Sequence, residues 1–210
     1  MSHMLDIKED GVSLGTADKA LIMLHGRGGT ADDILTLSRH LAVEDFALLA
    51  PQATKNSWYP LSFLAPAEDN EPWLSSALDV VEKTVDHVME AGIRREDIYF
   101  FGFSQGACLA LEFLARKAGR FGGAVAIIGG VIGKTIDHSN YKGDFLHMPL
   151  FLSTSNPDFH VPVQRVYATA NIFRDMNAEV TEKVYEGMGH NINPEQMELA
   201  NRVVFNSPRF

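Results

Sequence analysis

The chain has 210 residues, 46% of them hydrophobic and 21% charged, with a formal net charge of -9. That length favours one domain around one core, and that composition excludes disorder while supplying enough apolar material for a buried sheet. The acidic balance repels phosphate backbones and anionic headgroups, and the pairs Arg94-Arg95 and Arg116-Lys117 are too short to reverse it, so neither nucleic acid nor stable membrane insertion is expected.

A single cysteine excludes an intramolecular disulfide and a zinc cluster and fits a reducing, cytoplasmic compartment. The first eleven residues lack a basic start followed by an apolar segment, so no signal peptide is expected, and no run approaches the ~18 apolar residues of a membrane span. Ser2-His3-Met4 reads as a cloning remnant with Met4 as native start; that leaves residues 5–210 as the domain and His3 outside functional reasoning.

In chain order, Leu5 to Thr16 is a candidate hairpin turning at Asp10-Gly11. Ala20 to Leu24 is a continuous apolar strand that spills into the glycine-rich loop His25-Gly26-Arg27-Gly28-Gly29. Thr30 caps an acidic first turn, Asp32-Asp33, of a helix expected through about Leu41. Phe46 to Ala50 is a second apolar strand, closed by Pro51. Thr54 to Asn70 has no periodicity but carries Trp58, Tyr59 and Phe63, and a compact domain keeps such a stretch to wall a pocket. A helix with apolar spacing runs from Pro72 to about Gly92. Its His87 has no second histidine at ligand spacing, so it belongs to a solvated face.

The next stretch organises the rest. Ile98 to Phe103 is a β-branched and aromatic strand, G-F-S-Q-G spans Gly102 to Gly106, and a helical pattern runs on to about Lys117. A serine at such a strand-to-helix turn is a nucleophile elbow: the glycines remove side chains that would clash and the turn presents the Ser104 hydroxyl. Gly123 to Gly130 is another glycine-ended strand, followed by a loop of about twenty residues. Pro149 to Ser153, Val163 to Met176, Glu179 to Tyr185 and Asn193 to about Val204 then read as strand, helix, strand and capped helix. Apolar strands alternating with helices predict an α/β class protein, a mostly parallel sheet of about six to eight strands covered on both faces, with no large lid. Its site lies beyond the carboxyl ends of the strands.

Those strand ends present Ser104, Asp158 and His190, in the chain order of α/β-hydrolases. A serine hydroxyl needs a base to take its proton, and an imidazole titrating near neutrality can take it and return it to the leaving group. An acid on the far ring nitrogen fixes the tautomer, which makes His190 the base and Asp158 the acid. His160 is the rival base and Asp144 and Glu186 are rival acids, better placed as loop and strand-end groups. Backbone N–H groups at Gln105 and Arg27 are the candidate oxyanion hole. The Arg27 side chain points to solvent or greets an anionic substrate. Cys108, one turn past Ser104, packs as a small apolar residue. Trp58, Tyr59, Phe63, Ile132 and His160 are candidate walls of the substrate pocket. No metal or cofactor is expected.

The segments H-G-R-G-G (His25 to Gly29), A-P-Q (Ala50 to Gln52), W-Y-P (Trp58 to Pro60), G-F-S-Q-G-A (Gly102 to Ala107), P-D-F-H-V-P (Pro157 to Pro162) and G-M-G-H (Gly187 to His190) together resemble the phospholipase/carboxylesterase family of α/β-hydrolases. H-G-R-G-G and N-E-P-W-L-S-S-A look like its bacterial esterase branch, and Phe159 stands where the resemblance leads one to expect proline. The resemblance implies the triad Ser104, Asp158 and His190, an oxyanion hole at Arg27 and Gln105, and a serine esterase cleaving small or single-chain carboxylic esters, with thioesters as a further class. Lysophospholipid cleavage on the same triad and a non-catalytic ligand-binding protein are the rivals. A homodimer is compatible with the sequence, which marks no interface.

Overall fold

A computed structural model of the chain describes residues 2–206. Seven strands form one sheet: β1 (Ile7–Gly11), β2 (Lys19–Leu24), β3 (Phe46–Pro51), β4 (Ile98–Phe103), β5 (Gly123–Ile127), β6 (Pro149–Asn156) and β7 (Glu179–Glu186). They lie in the order β1-β3-β2-β4-β5-β6-β7, with only β1 antiparallel to its neighbour. The connecting helices are α1 (Ala31–Leu35), α2 (Trp73–Glu90), α3 (Gln105–Arg116), α4 (Val163–Asp175) and α5 (Pro194–Ala200). Among the described residues no helix is long and apolar enough to cross a membrane.

Adjacent aromatics on β4 show how the sheet is covered. Successive strand residues face opposite sides, so Tyr99 and Phe100 report on different layers. Phe100 packs against Phe113 of α3 and against Phe121, whereas Tyr99 meets Phe46 and Phe205, the last from the helical turn that follows α5. Helices therefore cover both faces. The central strands β2 to β5 are almost wholly buried, which is why they read as unbroken apolar runs.

Four expectations are corrected. Leu5 to Thr16 is not a hairpin: Gly11 (φ 73) ends β1, which pairs with the distant β3 from Ile7↔Pro51 to Gly11↔Ala47. The helix after Thr30 keeps its capping box but stops at Leu35 and tightens into a 3-10 turn over Thr36–His40. Thr36 and Ser38 hydroxyls donate to the carbonyls of Asp33 (2.6 Å) and Leu35 (2.7 Å), an alternative to continued α-helix. Strand β6 runs past Ser153 to Asn156 because Ser153, Thr154 and Ser155 are buried, although their polarity ends the apolar pattern. The last helix is regular only to Ala200 and widens into a π-turn over Asn201–Phe205. Asn201 there accepts from Ala42 N–H (2.7 Å) and donates to the His40 carbonyl (3.0 Å), tying this turn to the one after α1.

His3, set aside at first, is buried. Its Nε2–H donates to the Trp58 carbonyl (2.8 Å), its Nδ1 accepts from Thr54 N–H (3.1 Å), and its ring packs against Trp58 and Trp73.

Candidate active site

The turn between β4 and α3 holds Ser104 at φ 54 and ψ -118, a left-handed conformation that a non-glycine residue adopts only when its surroundings enforce it. The enforcement is visible on both sides. A Cβ on Gly102 would stand 2.6 Å from Ala107 Cα, and one on Gly106 would stand 2.1 Å from the Leu24 carbonyl oxygen. The elbow thus lies flush against its own helix and against the end of β2. Ser104 N–H donates to Ile127 O (2.9 Å) and its carbonyl accepts from Cys108 N–H (3.0 Å), so β5 and α3 grip it together.

Two further strand ends complete the line. Past β7, Gly187 (φ 66) and Gly189 (φ 72) make a left-handed turn that carries His190 back over the sheet. The turn is anchored by Gly187 N–H on Asn156 O (2.9 Å) and Gly189 N–H on Ser155 Oγ (2.9 Å). Past β6, Asp158 Oδ1 accepts from His160 and Val161 N–H, both at 2.8 Å. His190 Nδ1 lies 2.9 Å from Asp158 Oδ2 and His190 Nε2 lies 2.8 Å from Ser104 Oγ. A carboxylate only accepts, so Nδ1 carries the proton and Nε2 is free to accept from the serine hydroxyl. Burial opposes the charge of Asp158, whose side chain is fully covered, but the His160 and Val161 N–H groups and the His190 ring outweigh it and hold the carboxyl below its ordinary value.

The loop after β2 sits beside the elbow: a Cβ on Gly26 would be 3.4 Å from Ser104 Cβ. His25 shapes that loop. Its Nδ1–H donates to Gly26 O (2.7 Å), and its Nε2 accepts from Ala53 N–H (3.1 Å) and Gln52 Nε2 (3.3 Å). The Arg27 side chain does not simply enter solvent. Its Nη1 donates to Ser57 Oγ (3.0 Å) and Pro60 O (2.9 Å), and its Nη2 donates to Leu61 O (2.6 Å). Gln105 grips the same loop from the other side, accepting from Trp58 N–H (2.9 Å) and donating to Tyr59 O (2.8 Å). The aperiodic stretch after β3 is therefore tied down by the side chains of Arg27 and Gln105, the two residues expected to supply the oxyanion hole.

Ser104 opens into a cleft of about 450 Å³ walled by Tyr59, Leu61, Phe63, His160 and Val161, with Arg27 also on its surface. His160 stands edge-on to His190 at 5.1 Å, and Phe103 lies against the same ring at 5.5 Å. Tyr59, Phe63 and His160, three of the candidate pocket residues, line this cleft. Trp58 and Ile132 do not line it. The Trp58 indole N–H donates to His25 O (2.9 Å) inside the core, and Ile132 is buried with its N–H on Glu112 Oε2 (2.8 Å). Cys108 lines the floor, but burial pushes its thiol up to about 12, which leaves it protonated and inert near neutrality. Asp144 accepts from Leu146 N–H and Asn177, and Glu186 is exposed at the end of β7, while the Nδ1 of His190 meets Asp158.

Sequence reading missed the support beneath these residues. Ser155 holds the histidine turn, and Gln196 of α5 donates to buried Ser153 (2.9 Å), bracing β6. The signal was present in S-T-S, three polar residues ending an otherwise apolar strand, whose burial demands partners.

A family model described as phospholipase/carboxylesterase matches residues 13–204. The chain belongs to the phospholipase/carboxylesterase family. Membership makes it an acyl hydrolase with the α/β-hydrolase fold. Acyl-protein thioesterase 1 of Saccharomyces cerevisiae is 29% identical over 207 residues, covering 87% of this chain and 89% of that protein. A probable carboxylesterase of Arabidopsis thaliana is 26% identical, covering 85% of this chain and 74% of that protein. The crystal structure of a phospholipase/carboxylesterase from Dyadobacter fermentans superposes with a TM-score of 0.97 at 48% identity, over 98% of this chain and 99% of that one.

Proposed function

We propose that this family member is a cytoplasmic, cofactor-independent serine esterase, residues 5–210 forming one domain, that cleaves small or single-chain carboxylic esters and thioesters through an acyl-enzyme. The observation that carries the reading is the unbroken hydrogen-bonded line from Ser104 Oγ through His190 to Asp158 Oδ2, at 2.8 and 2.9 Å.

In this mechanism His190 Nε2 takes the Ser104 proton as Oγ attacks the acyl carbon, and the charged Asp158 steadies the imidazolium that results. The tetrahedral oxyanion forms beside the backbone N–H groups of Gln105 and Arg27, whose positions are fixed by the wall loop both side chains grip. His190 then hands its proton to the departing alcohol or thiol. Water, activated by the same imidazole, attacks the acyl-enzyme and releases the acid. The open cleft of about 450 Å³ suits acyl chains of modest length.

Hydrolysis of p-nitrophenyl butyrate, with butyryl thioesters in parallel, tests this. Ser104→Ala is expected to abolish turnover while the protein remains folded, and a fluorophosphonate probe is expected to add mass at Ser104. Undiminished hydrolysis by the variant, or labelling at another residue, would move the nucleophile elsewhere.

A further inference from the structure

We propose that the Arg27 side chain is an anion subsite at the lip of the cleft, so that the preferred substrates are esters bearing a carboxylate or phosphate a few atoms from the scissile carbonyl. The inference rests on the esterase reading above and narrows its substrate class.

Three observations carry it. First, the Arg27 charge is unneutralised: its acceptors are one hydroxyl and two backbone carbonyls, and no Asp or Glu is among the described residues lining the cleft. The neighbouring carboxylate, Asp158, is fully covered, with its oxygens taken by His160, Val161 and His190. Second, three of the five guanidinium N–H donors are spent, two from Nη1 and one from Nη2. The Nε–H and the second Nη2–H have no acceptor among the described residues. A planar guanidinium with two donors to spare suits the paired oxygens of a carboxylate or phosphate. Third, the side chain is already held by Ser57, Pro60 and Leu61 and lies 6.0 Å over the Tyr59 ring, so binding an anion orders little that is not ordered already. The molecule as a whole carries -9, so it offers an anion no long-range attraction and the recognition has to be made by local contact.

The test compares kcat/KM for matched esters in the wild type and Arg27→Met, corrected for spontaneous hydrolysis. Mono-4-nitrophenyl adipate against 4-nitrophenyl hexanoate places the charge on the acyl side; 4-carboxyphenyl butyrate against 4-carbamoylphenyl butyrate places it on the alcohol side. The anionic-to-neutral ratio is expected to fall by about tenfold or more in Arg27→Met for at least one pair, with Arg27→Lys in between. Taking the ratio removes whatever the substitution does to the wall loop. If the variants do not fold, competitive inhibition of the wild type decides: adipate or butyl phosphate should inhibit butyrate ester hydrolysis at lower concentration than adipamide, and the stronger of the two identifies the preferred anion. Equal ratios in both pairs with ester hydrolysis intact, or anions no better than adipamide, overturn the subsite and leave the esterase reading standing. A wild type inert toward every ester removes the esterase reading instead.

Discussion

Asp158 is positioned by hydrogen bonds that all prefer it charged, and this makes one substitution at that position unusually informative. Because Oδ1 already accepts two backbone N–H groups at 2.8 Å, an asparagine there must keep its carbonyl oxygen on them and turn its NH2 toward His190. The imidazole would then present a lone pair at Nδ1 and its proton at Nε2, facing Ser104 with a donor where an acceptor is needed. Asp158→Asn is therefore expected to fold normally and lose on the order of 10⁴ in kcat; a loss below tenfold in steady-state hydrolysis of p-nitrophenyl butyrate would exclude the proton route through Nε2. The hydrogen-bonded line of Ser104, His190 and Asp158 is legible in the sequence because chemistry restricts both the type of such residues and their order along strand ends. Trp58 and Ile132 are not, since a large apolar side chain reads the same whether it walls a cleft or fills a core. Nor was the Arg27 clamp visible, because its acceptors are two backbone carbonyls and a serine hydroxyl more than 29 residues away.

At the scale of elements, the elbow works as a joint between β4, α3 and the end of β2, and its tolerance depends on what each glycine faces. The Leu24 carbonyl that a Gly106 Cβ would meet belongs to a strand paired on both sides, with β3 and with β4, so it cannot retreat. Gly106→Ala is expected to cost at least about 3 kcal/mol, whereas Gly28→Ala, which has φ +80 but open space around it, should cost about 1 kcal/mol. Urea unfolding of the two variants checks the contrast, and equal midpoints would contradict the packing assigned to the joint. Element existence was readable from period and turn residues throughout the parallel sheet. Element ends were not, wherever side-chain hydroxyls compete with the backbone, as in Thr36 and Ser38, or where buried serines prolong a strand past its apolar run, as in β6. The β1 pairing was hidden because its partner lies beyond an intervening strand and helix.

For the molecule as a whole, two buried imidazoles link stability to pH. His3 and His25 each donate through one ring nitrogen and accept a backbone N–H through the other, so a second proton would set N–H against N–H. Burial, the leading cause in both, holds each folded ring below the ordinary imidazole value of 6.5. The unfolded chain therefore binds more protons once the pH drops below 6.5. Their contribution is complete above that pH and declines below it, down to the folded values. The urea midpoint is expected to fall between pH 7.5 and pH 5, and the drop should shrink in His25→Gln, which keeps a donor and an acceptor without titrating. A midpoint that does not change over this range would rule out the buried neutral rings as its source.

The two outermost strands bear on how copies of this chain can meet. β1 and β7 each have one side that pairs with no other strand among the described residues, yet neither offers an apolar ribbon: Lys8, Glu9 and Asp10 are exposed on one, and Glu179, Lys183 and Glu186 on the other. Charged margins of this kind discourage the edge-to-edge addition of further strands that leads to fibrils. Self-association, where it occurs, is thereby steered away from these two edges of the seven-stranded sheet seen among the described residues.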